Sequence, residues 1–229
     1  MKKLILFYFV FLAFQTEAQT SGCTDPLALN FSEQATQNDG SCLYSAESVI
    51  PENSNALPEL FSETSGLILW NDRLWTHNDN TDTNLYALNP GNLGTFESYP
   101  VQNSINIDWE EISQDADYIY IGDFGNNANG NRKDLQIYKI RKSTLLTNNQ
   151  EIEKIQFSYS TQTDFTATGS NNTDFDCEAF VVTADKIFLF TKEWLSKKTS
   201  VYSLPKSPGN HVAAYQSTYD VNCLITGAT

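Results

Sequence analysis

Three short strings recur along the chain with a tyrosine at the centre of each: Asn84-Leu85-Tyr86-Ala87-Leu88, Gln136-Ile137-Tyr138-Lys139-Ile140 and Ser200-Val201-Tyr202-Ser203-Leu204. Each is the third member of a set of four β-patterned runs. The first set is Gly66–Trp70, Arg73–Thr76 across an Asn71-Asp72 turn, Asn84–Leu88, and Thr95–Tyr99 after Pro90-Gly91. The second is Glu111–Ser113, Tyr118–Gly122, Leu135–Ile140 and Ile152–Tyr159; the third is Ala179–Val182, Ile187–Phe190, Ser200–Leu204 and Val212–Tyr219. These runs alternate or stay apolar for four to seven residues and are rich in Val, Ile, Tyr, Phe and Trp, the pattern of strands. No stretch after residue 18 has convincing helical periodicity.

A four-strand unit that repeats with a fixed aromatic predicts an all-β chain built of β-propeller blades. The competing reading is a β-sandwich whose strands resemble one another by accident. Glu63, Glu110 and Glu178 open the three units, at spacings of 47 and 68 residues. A fourth unit is expected to begin near Ile225-Thr226-Gly227-Ala228. At about 50 residues per blade a six-bladed ring needs on the order of 300 residues. The expectation is therefore a truncated ring, about three blades of six.

The segments before the blades read differently. Lys2 and Lys3, the apolar run Leu4–Phe14 and the small residues Thr16-Glu17-Ala18 have the layout of a secretory signal over residues 1–18. An alternative is a lipoprotein acylated at Cys23. No other segment is long and apolar enough for a membrane helix. The formal charge is −14, and it grows more negative when the signal is removed. Such a chain repels nucleic acid and anionic membranes, and its carboxylates suit cations. An exported chain permits disulfides. Its four cysteines allow three connectivities; Cys23 with Cys42 is the first guess, leaving Cys177 with Cys223.

Residues 22–44 are expected to form a small unit stapled by cysteine, followed by a polar linker over 45–58 and the β-rich body over 59–229. Asp25, Asn30, Asn38 and Asp39 in the small unit suit either turns or calcium. Gly22, Cys23, Asp25, Pro26, Asn30, Asp39, Gly40 and Cys42 match a short cysteine-bracketed repeat. It is similar to those common in secreted and surface proteins of gliding bacteria with type IX secretion.

The chemistry-bearing residues cluster at the ends of predicted hairpins. In a hairpin the start of one strand lies beside the end of the next. This pairs Glu63 with His77-Asn78-Asp79, Glu110 with Asp123, and Glu178 with Lys192-Glu193. Asp108 and Asp176 precede two of these starts, and Asn126 lies in the Asn-rich loop 123–131. First strands line a propeller's channel, so these groups converge on one rim. There Glu63, Glu110, Asp123 and Glu178 are the expected ligands of a hard cation such as Ca²⁺. The structural alternative is that these polar residues cap turns or bond neighbouring blades, with Lys192 neutralising Glu178 or Glu193. His77 is a candidate general base or a polar contact. No nucleophile elbow, phosphate loop or second nearby histidine accompanies it.

The strings Glu63–Leu67, Arg73–Asp79, Asp108–Glu110, Gly122–Asn127, Asp176–Ala179 and Leu189–Lys192 resemble secreted bacterial six-bladed propeller proteins, some of which carry a C-terminal type IX sorting domain. More distantly, the chain is similar to phytase-like esterase and calcium-dependent lactonase propellers. That likeness implies a channel metal and rests on Glu63, Glu110 and Glu178. Two functions are therefore expected. One is a secreted or surface binding module with an acidic, calcium-binding rim for a glycan, peptide or small molecule. The other is a metal-dependent hydrolase of esterase, lactonase or phosphoesterase type.

Overall fold

The computed structural model describes residues 19–45, 50–51 and 54–229. The expected signal over 1–18 and part of the expected linker lie outside the described residues. The chain divides into two compact units, one up to residue 49 and one from Ile50 onward. Among the described residues no helix is long and apolar enough to cross a membrane.

The small unit has almost no apolar core, so covalent and turn chemistry hold it. Strand β1 (Ser21–Gly22) pairs in parallel with β2 (Gln37–Asn38), and Cys23 is bonded to Cys42. The polar residues weighed for calcium are occupied by the backbone. The Asp25 carboxylate accepts the Leu27 amide and the Tyr44 hydroxyl, and Asn30 bonds Ser41 O and the Leu43 amide. Asn38 accepts the Gly40 amide, and Asp39 accepts that of Ser41. They are turn formers.

The body is all-β. Strands β3 (Thr64–Trp70), β4 (Arg73–Asn78), β5 (Asn84–Asn89) and β6 (Asn92–Pro100) form one antiparallel meander in sequence order. Asn71 and Asp72 both adopt positive φ in its first hairpin, the conformation that short polar residues tolerate and that matches strand twist. Strands β7 (Trp109–Gln114), β8 (Tyr118–Asp123), β9 (Gln136–Arg141) and β10 (Ile152–Tyr159) form a second meander. Strands β11 (Cys177–Val182), β12 (Lys186–Thr191), β13 (Thr199–Pro205) and β14 (Gly209–Tyr219) form a third.

One pairing is non-local. The last strands of the second and third meanders, β10 and β14, run parallel in register from Ile155↔Gly209 to Tyr159↔Ala213. This joins eight strands in the order β11-β12-β13-β14-β10-β9-β8-β7. The two ends of that sheet, β7 and β11, pack against each other, so it is nearly closed and barrel-like. Strand β3 also packs against β7.

Two large cores fill the spaces between successive meanders. Trp75, Leu85, Trp109, Ile121 and Tyr138 belong to one, and Phe124, Phe157, Phe180, Leu189 and Tyr202 to the other. The repeated tyrosines explain themselves here. Each hydroxyl fastens a loop: Tyr138 donates to Ile105 O and accepts the Ile105 amide, Tyr202 pairs with Thr161, and Tyr86 bonds Asp82. Tyr138 and Tyr202 thus clamp the connection that enters their own meander. Tyr86 does the same through its ring, which packs edge-on against Phe61 ahead of β3.

Among the described residues helix is confined to one turn at Lys142–Leu145 and a 3₁₀ turn at Glu59–Phe61. Two expectations are corrected. The residues near Ile225–Ala228 form no strand; the Ala228 amide instead donates to Glu111 of β7. Cys177 and Cys223 are both free. The Cys177 thiol lies in the core against Ala179 O and Phe190 O, whereas Cys223 is exposed beyond β14, so the two cannot meet without unpacking the start of β11.

Candidate metal centre

The three first hairpins end in the same way. The Asp79 amide donates to Glu63 O at 2.7 Å, the Phe124 amide to Asp108 O at 3.2 Å, and the Lys192 amide to Asp176 O at 2.7 Å. Glu63, Asp108 and Asp176 are therefore equivalent positions. Glu110 and Glu178 lie two residues further along, where the first meander has Ser65. The repeat of glutamates in the sequence thus mixes two structural positions.

Asp79, at the end of β4, meets Asp108 and Glu110, at the start of β7. Ligand oxygens from these three carboxylates lie within 4.8 Å of one another. Glu110 is buried, and Asp79 and Asp108 are half-buried. Burial first, then the carboxylates of Glu178, Asp79, Asp108 and Asp176, push Glu110 up to about 11. Burial and Asp108 push Asp79 up to about 7, and burial raises Asp108. Asp176 is likewise pushed up to about 7, mainly by burial. A dry cluster of like charges is stable only when it holds protons or a cation.

Gly125 is the residue that the sequence reading missed. A Cβ built there would stand 2.4 Å from Asp108 Oδ2 and 2.6 Å from Glu110 Oε1. Only a glycine lets the β8–β9 connection run this close over the carboxylates. Arg132 was also missed, and it decides the fate of Asp123. Its guanidinium pairs with Asp123 at 2.9 Å and donates to Gly125 O at 2.9 Å. The signal lay in the spacing, an arginine nine residues beyond an aspartate across one loop.

The other expected residues take structural posts around this centre. Asp123 is fully buried and also accepts the Gln136 amide group and the Asp108 backbone amide. Asp176 accepts the Asn126 amide at 2.6 Å and the Trp194 indole at 2.7 Å. The Asn126 side chain bonds Phe175 O and the Arg132 amide. Glu178 pairs with Lys192 at 2.7 Å, and the Lys192 ammonium lies over the Trp194 ring. Glu63 is exposed and reaches the site through its carbonyl. Of the four expected ligands, only Glu110 belongs to the gathered set; Glu63, Asp123 and Glu178 stand outside it.

His77 and Asn78 point elsewhere. The His77 ring bonds Ser65 O through Nδ1 and stacks near Trp109, while Nε2 is buried without a partner among the described residues. Burial lowers it to about 3, so it is neutral. Asn78 donates to Leu60 O. Both hold the entrance to the first meander. The chain matches no protein-family model and no curated protein.

Proposed function

We propose that this protein is an exported β-propeller-type binding module whose inner acidic centre holds Ca²⁺. The carrying observation is the set Asp79, Asp108 and Glu110, oxygen ligands within 4.8 Å of one another on a partly desolvated rim. Oxygen-only donors of full negative charge suit a hard cation, and calcium takes six to eight such oxygens. Three carboxylates leave positions for water and for oxygens of a bound partner.

The propeller reading draws support from three like meanders, from the adjacency of β3, β7 and β11, and from the recurring tyrosine clamp. Export draws support from the charged-apolar-small order of residues 1–18 and from the disulfide of the small unit. Binding is favoured over hydrolysis because His77, the candidate base, is sealed in the core out of reach of a substrate, and burial lowers it to about 3, which makes it a weak base.

The test is a calcium titration of the purified protein by thermal unfolding and calorimetry. Ligand linkage predicts a melting temperature that climbs with calcium concentration, by about 2.7 kcal/mol of stability at a hundredfold excess over Kd. Glu110→Gln should abolish that rise. No rise with millimolar calcium, nor with magnesium, manganese or zinc, would falsify the metal centre.

A further inference from the structure

The connection from Ser160 to Asp176 joins β10 to β11 and carries no secondary structure of its own. Loops of this length are uncommon in compact folds unless they serve a function. This one is held in place. The Thr168 amide donates to Asn129 O at 2.9 Å, the Asn171 amide to Asn127 O at 2.7 Å, and Gln162 Nε2 to Gly130 O at 3.0 Å. Gly130, at φ +66°, allows the approach, because a Cβ there would stand 2.7 Å from Thr168 Oγ1 and 2.8 Å from Thr173 Cβ. From the other side Asp174 accepts the amides of Leu195 and Ser196 in the β12–β13 connection.

Between these three connections lies a cavity of about 250 Å³. Its polar lining is only partly used. Gln162 is 7% exposed and its Oε1 accepts no hydrogen bond among the described residues, and buried Thr173 accepts the Phe175 amide while its own hydroxyl proton has no acceptor there. Asp164 and Asp174 each commit one carboxylate oxygen to backbone amides and leave the other unbonded. The half-buried Phe175 and exposed Leu195 supply the apolar part, and no cationic side chain lines the space.

We propose that this cavity is a carbohydrate subsite that takes one neutral pyranose ring. Sugar hydroxyls both donate and accept, which matches two carboxylates and an amide oxygen facing a hydroxyl donor. The C–H face of a pyranose suits Phe175 and Leu195. Two carboxylates without a cation reject phosphorylated or uronic sugars, because bringing a third anion there is unfavourable. The volume is below the roughly 300 Å³ of sites for drug-sized ligands, as fits a single ring. The proposal does not rest on the calcium centre, although Asp176 closes the same loop.

The experiment is an NMR titration of the ¹⁵N-labelled protein with the methyl glycosides of glucose, galactose, mannose and N-acetylglucosamine, with methyl glucuronoside as the anionic control. The expected result is saturable shifts of the Gly130, Thr168 and Thr173 amides with at least one neutral glycoside and none with the glucuronoside. Asp164→Ala, on an exposed side chain, should weaken that affinity roughly tenfold with unchanged melting temperature. Glu110→Gln and EDTA should leave it intact. Absence of saturable shifts with all four neutral glycosides, equal binding of the glucuronoside, or sugar binding lost with EDTA would each overturn the proposal. Failure of calcium binding alone would leave it standing.

Discussion

Glu110 shows how a single side chain can be decided by its neighbours. Two residues away from a position that repeats in every meander, it is driven into a buried space close to four other acidic side chains, Glu178, Asp79, Asp108 and Asp176. Its folded-state affinity for a proton exceeds that of the unfolded chain, so between about 4.5 and 11 the folded form holds a proton that the unfolded form has lost. Stability of the metal-free protein therefore falls as pH rises through that window, and Asp79 and Asp176 add to the fall up to about pH 7. Melting scans in EDTA should show a lower melting temperature at pH 8 than at pH 5.5, with the gap narrowed by calcium; a higher value at pH 8 would count against the clustered carboxylates. Gly125 tests the geometry without touching charge. Gly125→Ala forces a methyl group onto Asp108 and Glu110, and should cost about 1–3 kcal/mol in chemical denaturation while weakening calcium binding. An alanine variant as stable as the parent would mean that the loop does not cover the acids. At this scale the sequence was only half legible. Glu110 could be named because acids at hairpin starts are a local pattern. The removal of Asp123 and Glu178 from the ligand set could not, since it depends on where Arg132 and Lys192 place their charges.

At the scale of strands and loops, the tyrosine repeat was readable because a third strand and its neighbours are contiguous in sequence. Hairpin register was readable only to within a residue: Glu63 does meet Asp79 through the backbone, but Asp123 stands opposite Trp109 and not Glu110, and Thr191 opposite Cys177, because a bulge shifts the register in these hairpins. What the tyrosines do was not readable, since Ile105 and Thr161 lie in other connections. Their unequal partners give a graded prediction. Tyr138→Phe strands the amide of Ile105, takes one of two donors from its carbonyl, which keeps the Trp109 indole, and removes a bond from Gln136, so it should cost about 2 kcal/mol. Tyr202→Phe loses one hydroxyl pair with Thr161 and should cost about 1 kcal/mol. Urea denaturation of the two variants checks the order; equal losses would deny the clamp its role at Ile105.

Across the whole body, the parallel pairing of β10 with β14 was the feature least accessible to pattern reading, because each strand looks like an ordinary last strand of its meander. The ladder from Ile155↔Gly209 to Tyr159↔Ala213 closes across about fifty residues of chain. By contrast, the first meander is a separate four-stranded sheet. It is tied to the second through packed side chains such as Trp75 and Trp109 and single bonds such as Gln114 to Leu69 O. Native-state hydrogen exchange should therefore find the amides of β9, β10, β13 and β14 opening only with global unfolding, while those of β5 and β6 exchange at lower free energy. Uniform protection over all twelve strands would contradict this division.

That seam also fixes how the body would give way under load. Tension drawn along the chain would peel the first meander away as a detachable leaf, its hydrogen bonds unzipping one after another. The eight joined strands would resist by shear, since parallel β10 and β14 must slide past each other with the whole row of bonds strained together. The acidic centre spans the boundary, with Asp79 on the leaf and Asp108 and Glu110 on the joined sheet. A cation held there would consequently act as a rivet across that boundary.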